Sequence, residues 1–429
     1  MGVKKLLILG GISHMIDVVE TAKGMGVYTI VCDYAPESPA KRIADVAYDV
    51  STTDIDALYQ IAIKERIDGV FAGFEDLNTW NALKLCQRLG LPFYASEEQL
   101  LLTSNKRNFK QFCRLMDVPV VPEFKLEKKE DIDMLAPEDF PLIVKPVDSY
   151  GSRGITIVND SAELEDAYDK ARSFSKTHSF IVEKFYSGAG VEFYYTVING
   201  VPYLSAMTDR YVINQGLGVP PLPTATIYPA KDMNIIYDKY DSKIKDMIVK
   251  MGVKNGLLLF QAVRDADNIY IYEMAFRLTG EKHYQIVERE VGTDLLQFMI
   301  KLSLNEDVSS IKLRSYNKSC LPKPACNLAV LVGKGEVDTI KGLEEVRNFP
   351  EVVDYIQTIY EGDIVDRIGN YGQIIFRFNI IAETSPRLIE ILEAIEEKIK
   401  VYSSKGEDMV INHFLRDEKK IFNEFTPYI

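Results

Sequence analysis

From Lys5 to Ala95 the chain alternates short apolar runs with amphipathic stretches, and this alternation admits few arrangements other than a parallel sheet with helices on both faces. Lys5–Leu9 reads as a strand running into Gly10-Gly11, a helix follows from about Met15 to Met25, and Tyr28–Cys32 is a second strand ending at Asp33. Val46–Val50, Gly69–Gly73 and Pro92–Ala95 read as further short strands, separated by helical stretches at Ile55–Lys64 and Leu77–Leu89. Gly10-Gly11-Ile12-Ser13-His14-Met15 lacks the G-x-G-x-x-G spacing of a dinucleotide site, so it reads as a tight strand-to-helix turn.

A chain of 429 residues, 47% hydrophobic, can bury the cores of two or three domains. Its net charge of −13 argues against a broad grip on nucleic acid, which needs clustered Lys and Arg. Leu6-Leu7-Ile8-Leu9 is too short an apolar run for a signal peptide, and no segment approaches the roughly 20 apolar residues that span a bilayer. Cys32, Cys86, Cys113, Cys320 and Cys326 are odd in number and include no Cys-x-x-Cys pair. Neither a disulfide framework nor a zinc site is indicated, and a reduced cytoplasm is the expected compartment.

The chemistry-bearing segments follow one another along the chain. Thr103-Ser104-Asn105-Lys106 opens a helix, with Ser104 or Asn105 as N-cap and Phe109, Phe112, Cys113 and Met116 on its apolar face. Phe140–Pro146 is a strand of buried type that ends in Lys145, whose ammonium costs desolvation unless it meets an anion. The loop Ser149-Tyr150-Gly151-Ser152-Arg153-Gly154 follows, and its glycines let backbone N–H groups approach phosphate oxygens. The lysine precedes the glycines, so this is not a Walker loop. Ser179–Tyr186 is a second buried strand that ends in Glu183-Lys184-Phe185-Tyr186, with Glu192 nine residues beyond Glu183. Gly256–Arg264, a turn at Asp265–Asn268 and Ile269–Arg277 read as a β-hairpin that brings Gln261 near Glu273.

In this order and spacing the segments resemble the ATP-grasp superfamily of carboxylate–amine ligases, including amino-acid ligases and carbamoyl-phosphate-synthase-like proteins. The resemblance implies an α/β (α+β ATP-grasp) fold with three parts. These are a Rossmann-like parallel-sheet domain over 1–105, an ATP-grasp domain over 106–305 with a lid at about 118–190, and a small C-terminal α/β domain over 306–429. It implies ATP with Mg²⁺ or Mn²⁺ as cofactors. Lys106, Lys145, Ser149, Gly151, Ser152 and Gly154 would hold phosphates, Glu183, Lys184, Phe185 and Tyr186 the adenine, and Glu192 the ribose hydroxyls. Gln261 and Glu273 would hold metal, and Arg277, with Lys145, would stabilise the phosphoryl group in transfer. The family's Glu-x-Asn-x-Arg pattern is Glu273-Met274-Ala275-Phe276-Arg277 here, so Ala275 stands at the Asn position.

Glu75, Arg210, Lys282 and His283 are substrate candidates, with Gly11, Ser13 and Asp76 beside them. Arg210 suits a substrate carboxylate or a surface salt bridge, and His283 suits a proton acceptor or a capping role. Met207–Tyr211 and the Pro-rich run Gly218–Tyr228 read as a loop excursion over the site. Beyond Asp307, strands are expected at Cys326–Val332 and Gly372–Phe378, and helices from Gly342 and over Pro386–Ile399. The implied partners are small carboxylates and amines, with neither nucleic acid nor membrane and with a homodimer as the assembly. The implied reaction makes an amide through an acyl phosphate. An ATP-binding sensor without turnover, suggested by Ala275, and a bicarbonate-activating enzyme are the alternatives.

Overall fold

The computed structural model describes residues 2–126, 132–149, 153–187, 190–216, 219, 221–265, 268–313 and 323–417. Strands β1 (Lys5–Leu9), β2 (Tyr28–Asp33), β3 (Val46–Asp49) and β4 (Gly69–Phe71) form a parallel sheet in the order β3-β2-β1-β4. Helix α1 (Met15–Gly24) makes the crossover from β1 to β2 and α2 (Ile55–Glu65) that from β3 to β4, while α3 (Asp76–Leu89) follows β4. Pro92–Ala95, expected as a strand, is irregular and leads into helix α4 (Glu97–Ser104). Ser96-Glu97-Glu98-Gln99 was the overlooked signal. It is a capping box, in which the Ser96 hydroxyl accepts from Gln99 N and the Gln99 side chain accepts from Ser96 N.

Helix α5 (Lys106–Leu115) then leads to a four-stranded antiparallel sheet of β5 (Glu123–Phe124), β6 (Leu142–Pro146), β7 (Thr156–Val158) and β8 (Phe180–Lys184), in the order β5-β8-β6-β7. Helix α6 (Leu164–Phe174) covers this sheet with Leu164, Ala167, Tyr168 and Ala171.

The largest element is an eight-stranded sheet in which every neighbouring pair is antiparallel. Five strands come from the middle of the chain: β9 (Gly190–Ile198), β10 (Val201–Ile213), β11 (Leu222–Tyr228), β12 (Gly256–Asp265) and β13 (Asn268–Ala275). Three come from beyond residue 323: β14 (Ala325–Leu331), β16 (Val352–Gln357) and β18 (Ile374–Ile381), while β15 (Gly335–Lys341), β17 (Ile364–Val365) and β19 (Lys400–Ser403) form a separate small sheet. The order β13-β12-β9-β10-β11-β14-β18-β16 makes β11 the seam between the two groups.

That seam lies in the run expected to be a loop. Pro223 lacks an N–H, which argues against a central strand, but it pairs with Val212 where the register shifts between Tyr211 and Val212. The irregularity removes the demand for the missing donor.

Alternation along β9 gives the central sheet two different faces. Val191, Phe193, Tyr195 and Val197 pack with Ile244 and Met247 of helix α7 (Met233–Lys250). Tyr194 and Ile198 point the other way, toward helices α8 (Tyr284–Val291) and α9 (Leu295–Ser303) and the N-terminal unit. A long amphipathic helix, α10 (Ser385–Lys398), covers the C-terminal strands with Leu388, Ile391, Leu392 and Ile395. No described helix is long and apolar enough to cross a membrane. Cys32, Cys86, Cys113 and Cys326 are free and buried, and Cys320 falls outside the described residues.

The N-terminal sheet meets α9 at Gly69, where an added Cβ would lie 1.9 Å from the Ser303 carbonyl oxygen. Backbone cannot yield as a flexible side chain does. Gly69→Ala is therefore expected to lower stability by about 3 kcal/mol, read as a lower denaturant midpoint. Gly24→Ala, at a helix end with nothing within 4 Å, leaves it unchanged or slightly higher.

Candidate active site

The junction between the four-stranded sheet and the central sheet is built from lysines that the sequence places in apolar surroundings. Asn105 caps α5 by accepting from Arg107 N and Asn108 N, each at 3.1 Å. The buried positions of α5 are Lys106, Phe109, Lys110 and Cys113, so its core face carries two ammonium groups. Lys106 Nζ donates to the Ser149 carbonyl at 2.9 Å and lies 3.3 Å from the Glu273 carboxylate. Lys145, at the end of β6, pairs with Glu183 at 2.8 Å and sits 4.9 Å from the centre of the Tyr272 ring.

Glu183 carries the second charge of this cluster. It is 1% exposed and is shared by Lys145 and Lys110, while Lys110 Nζ also donates to the Val121 carbonyl at 3.0 Å. Burial pushes the Glu183 carboxyl up, but Lys145 and Lys110 outweigh it and hold the group below the usual carboxylate range. Burial in turn pulls Lys110 down, against Glu183 and Glu123.

On the central sheet, register aligns Thr208, Glu192, Gln261 and Glu273 in one row across β10, β9, β12 and β13. Glu192 is fully buried and accepts from Gln261 Nε2 at 2.8 Å, from Tyr194 at 2.8 Å and from Thr208 at 3.4 Å, with Arg210 Nε 3.4 Å away. The amide oxygen of Gln261 accepts no hydrogen bond among the described residues, and the Glu273 side chain is 39% exposed beside Lys106. The two offer hard oxygen donors on neighbouring strands, a set that fits Mg²⁺. Ala275, opposite Leu259, adds none.

Arg277 turns toward the N-terminal unit and grips Asp76 with two bonds, Nε at 2.6 Å and Nη2 at 3.0 Å, while Nη1 donates to the Leu278 carbonyl at 3.0 Å. Burial raises the Asp76 carboxyl, but Arg277 more than compensates and holds it low. Glu75, at the start of α3, accepts from Asn78 at 3.1 Å, and Gly11 N donates to Asp33 at 2.7 Å. Ser13 lies in the turn that enters α1, where its carbonyl accepts from Ile16 N.

The segment 278–284 is held down on a polar stripe of the central sheet. Arg210, Thr226, Asn327, Asn379 and Asp354 stand in register across β10, β11, β14, β18 and β16. Asn327 Nδ2 donates to the Glu281 carbonyl at 2.8 Å and Asn379 Nδ2 to the Lys282 carbonyl at 3.4 Å. Phe74 N donates to the Leu278 carbonyl at 3.1 Å, and His14 Nε2 meets the Gly280 carbonyl at 2.6 Å. Burial lowers His14 to about 4, against the pull of that carbonyl, so its ring is neutral at pH 7.

Several expected roles are modified by these contacts. Glu192, assigned to ribose, is enclosed by protein donors, and Glu183, assigned to the adenine edge, carries the lysine pair instead. Lys184 Nζ donates to the carbonyls of Glu138, Asp139 and Phe140, a structural tie. Phe185 N bonds the Pro141 carbonyl at 3.0 Å, and Tyr186 stacks on Tyr270 with centroids 5.7 Å apart. Lys282 is neutralised by Asp17 and Asp354, both at 2.8 Å. His283 has both ring nitrogens occupied, by the Tyr228 hydroxyl and the Glu281 carboxylate, and is 1% exposed rather than free to act on a substrate.

Gly154 has φ +76°, and its Cβ would fall 2.6 Å from Phe174, so packing alone demands a glycine there. Gly151 and Ser152 lie outside the described residues. Lys110, Arg377, Asn327 and Asn379 were not singled out from the sequence. For the last three the signal was a charged or amide side chain between apolar neighbours, as in Ile374-Ile375-Phe376-Arg377-Phe378-Asn379-Ile380-Ile381, and for Lys110 its place on the buried helix face with Phe109 and Cys113.

A family described as the carbamoyl-phosphate synthase L chain, ATP binding domain, matches residues 105–197. A formate-dependent phosphoribosylglycinamide formyltransferase of Sulfolobus acidocaldarius is 28% identical over 234 residues, which is 54% of this chain and 54% of the relative. The carbamoyl phosphate synthase large chain of Clostridium acetobutylicum is 22% identical over 298 residues, 67% of this chain and 27% of the relative. The chain thus spans about half the length, or less, of these curated relatives. Among solved structures, an L-amino acid ligase from Bacillus licheniformis superimposes with a TM-score of 0.75 at 20% identity, covering 94% of this chain and 99% of that one. A phosphoribosylglycinamide synthetase from Anaerococcus prevotii gives 0.72 at 19% identity, covering 94% and 100%.

The folded Glu183 carboxyl lies below its unfolded value, so its contribution to stability is complete above the ordinary carboxylate range and is lost as pH falls through the folded value. Glu183→Gln leaves Lys145 without its carboxylate and Lys110 with Glu123 alone, 3.7 Å away, and is expected to cost about 3–5 kcal/mol. Urea denaturation between pH 3 and 7 should show a shallower acid-side loss in the variant.

Proposed function

We propose that this chain, a member of the ATP-grasp superfamily, is an ATP-dependent ligase that joins a carboxylate to an amine. The observation that carries the reading is the convergence on one junction of Lys106, Lys145, Gln261 and Glu273, from a helix and three strands of two different sheets. Two nearly buried ammonium groups beside two hard oxygen donors suit a metal-bound polyphosphate. Such an arrangement is costly in a purely structural role.

In the proposed reaction a carboxylate oxygen of the substrate attacks the γ-phosphorus of ATP and ADP departs. The neutral amine nitrogen then attacks the acyl carbon, the C–O bond to phosphate breaks, the nitrogen gives up one proton to the departing phosphate, and an amide remains. Lys106 and Lys145 hold the phosphate oxygens, and Arg277, fixed by Asp76, supports the negative charge that develops during transfer. Gln261 and Glu273 would hold Mg²⁺, which would supply positive charge to offset that of the phosphates. The side chains of Tyr186 and Tyr270 offer an aromatic wall for the base. Residues 1–105, 106–305 and 306–429 are assigned as the Rossmann-like, ATP-grasp and C-terminal α/β domains of this machinery, with the lid at about 118–190.

Purified protein with Mg-ATP, screened against a matrix of carboxylates and amines, is expected to release phosphate only when one acid and one amine are both present. Lys145→Ala should lower that rate by about a hundredfold or more. Full activity in the variant contradicts the phosphate assignment. Nucleotide binding without turnover on any pair favours a sensor, the reading that Ala275 suggests, and bicarbonate-stimulated ADP formation favours a bicarbonate-activating enzyme.

A further inference from the structure

Glu123 on β5 and Glu183 on β8 are direct partners in the antiparallel register. Like charges so placed repel, and one ammonium group is shared between them. Lys110 Nζ makes ion pairs with both carboxylates, with Glu123 at 3.7 Å, and donates to the Val121 carbonyl at 3.0 Å. Its side chain is fully buried, so it does not meet a ligand. Lys145, on the other oxygen of Glu183, keeps 9% of its side chain exposed beside the Tyr272 ring. Of the two lysines that share Glu183, only Lys145 is placed to touch a phosphate.

Charge counting gives the enclosed lysine a role. At this junction ion pairs join Lys106, Lys110, Arg114 and Lys145 to Glu123, Glu183 and Glu273, four cations to three carboxylates. Arg114, 47% exposed, pairs with Glu123, and Lys106 pairs with Glu273. Two lysines are then left for the single charge of Glu183. Without Lys110 that charge would fall entirely on Lys145, and a closely matched pair away from water holds its members tightly. A nucleotide would have to break that pair to bind.

Resting on the ligase reading, we infer that Lys110 is a positioning residue of the nucleotide site. It takes up the charge of Glu183, so that the carboxylate holds Lys145 in place while the positive charge of Lys145 is left for the polyphosphate to match. The buried face of α5 thus serves the site twice, through Lys106 directly and through Lys110, one turn later, by way of Glu183.

The test is calorimetric binding of Mg-ADP to the full chain, with urea midpoints and circular dichroism as checks on the fold. Lys110→Met is expected to weaken Mg-ADP binding about tenfold or more. Lys110→Met combined with Glu183→Gln removes one cation with one anion, leaves the Lys145 charge unmatched and keeps an amide oxygen as its acceptor. This pair should return the affinity to within about threefold of the unaltered chain. Lys110→Met combined with Glu123→Gln relieves the same repulsion between β5 and β8. The charge it frees lies on exposed Arg114, however, and Lys145 stays matched by Glu183. That second pair should recover stability without recovering affinity.

Unchanged affinity in Lys110→Met overturns the inference and spares the ligase reading. So does equal recovery of affinity in the two double variants, which would assign Lys110 to holding the strands together, and so does recovery in neither. Where Lys110→Met alone does not fold, the double variants decide. Binding about tenfold tighter with Glu183→Gln than with Glu123→Gln supports the inference, and similar affinities overturn it. An unaltered chain that binds no Mg-ADP overturns the ligase reading, and the inference with it.

Discussion

Charge matching in a desolvated interior is the constraint on which the centre of this molecule depends. Ionised groups buried there gain stability only when an opposite charge and the remaining hydrogen-bond partners are supplied together. The Lys110–Glu183–Lys145 cluster does this between α5 and the four-stranded sheet, and Arg277 with Asp76 does it between the hairpin and the N-terminal unit. Lys282, between Asp17 and Asp354, does it where three distant parts of the chain meet. These pairs set the relative placement of the parts more narrowly than apolar packing alone, because hydrophobic contact is indifferent to direction.

The same rule explains how much could be read from residues alone. A lysine closing an apolar strand, as at Lys145, or an acid within one, as at Glu183, is conspicuous because it is expensive. The parallel sheet of the first hundred residues was likewise legible, since its period is local. Roles were harder to read than positions. Whether Glu183 faces adenine or a lysine depends on Lys110, some seventy residues earlier in the chain, and α5 shows that lysine only when its buried face is counted as a whole.

What stayed hidden was set by long-range register. Nothing near Arg210 announces that it stands in line with Thr226, Asn327, Asn379 and Asp354, because each member comes from a different strand. The tie from His14 to the Gly280 carbonyl spans 266 positions. The local sequence of segment 278–284 shows none of the tertiary partners that take up most of its polar groups. Local signals were also misread where two conflicted. Prolines at 221 and 223 favour a loop, while the apolar content of Leu222–Tyr228 favours a strand, and a register shift in the neighbouring strand decided for the second.

The placement of β11 has a consequence for any attempt to divide the protein. One edge of β11 is completed by β10 and the other by β14, so the backbone groups on that second edge, along residues 225–228, find their partners only in the last third of the chain. A fragment ending near residue 305 would present that ladder bare, as a sticky strip inviting a second fragment to dock edge to edge. The middle and the C-terminal part of the chain are thus stitched into one fabric, and neither can be cut free without fraying the other.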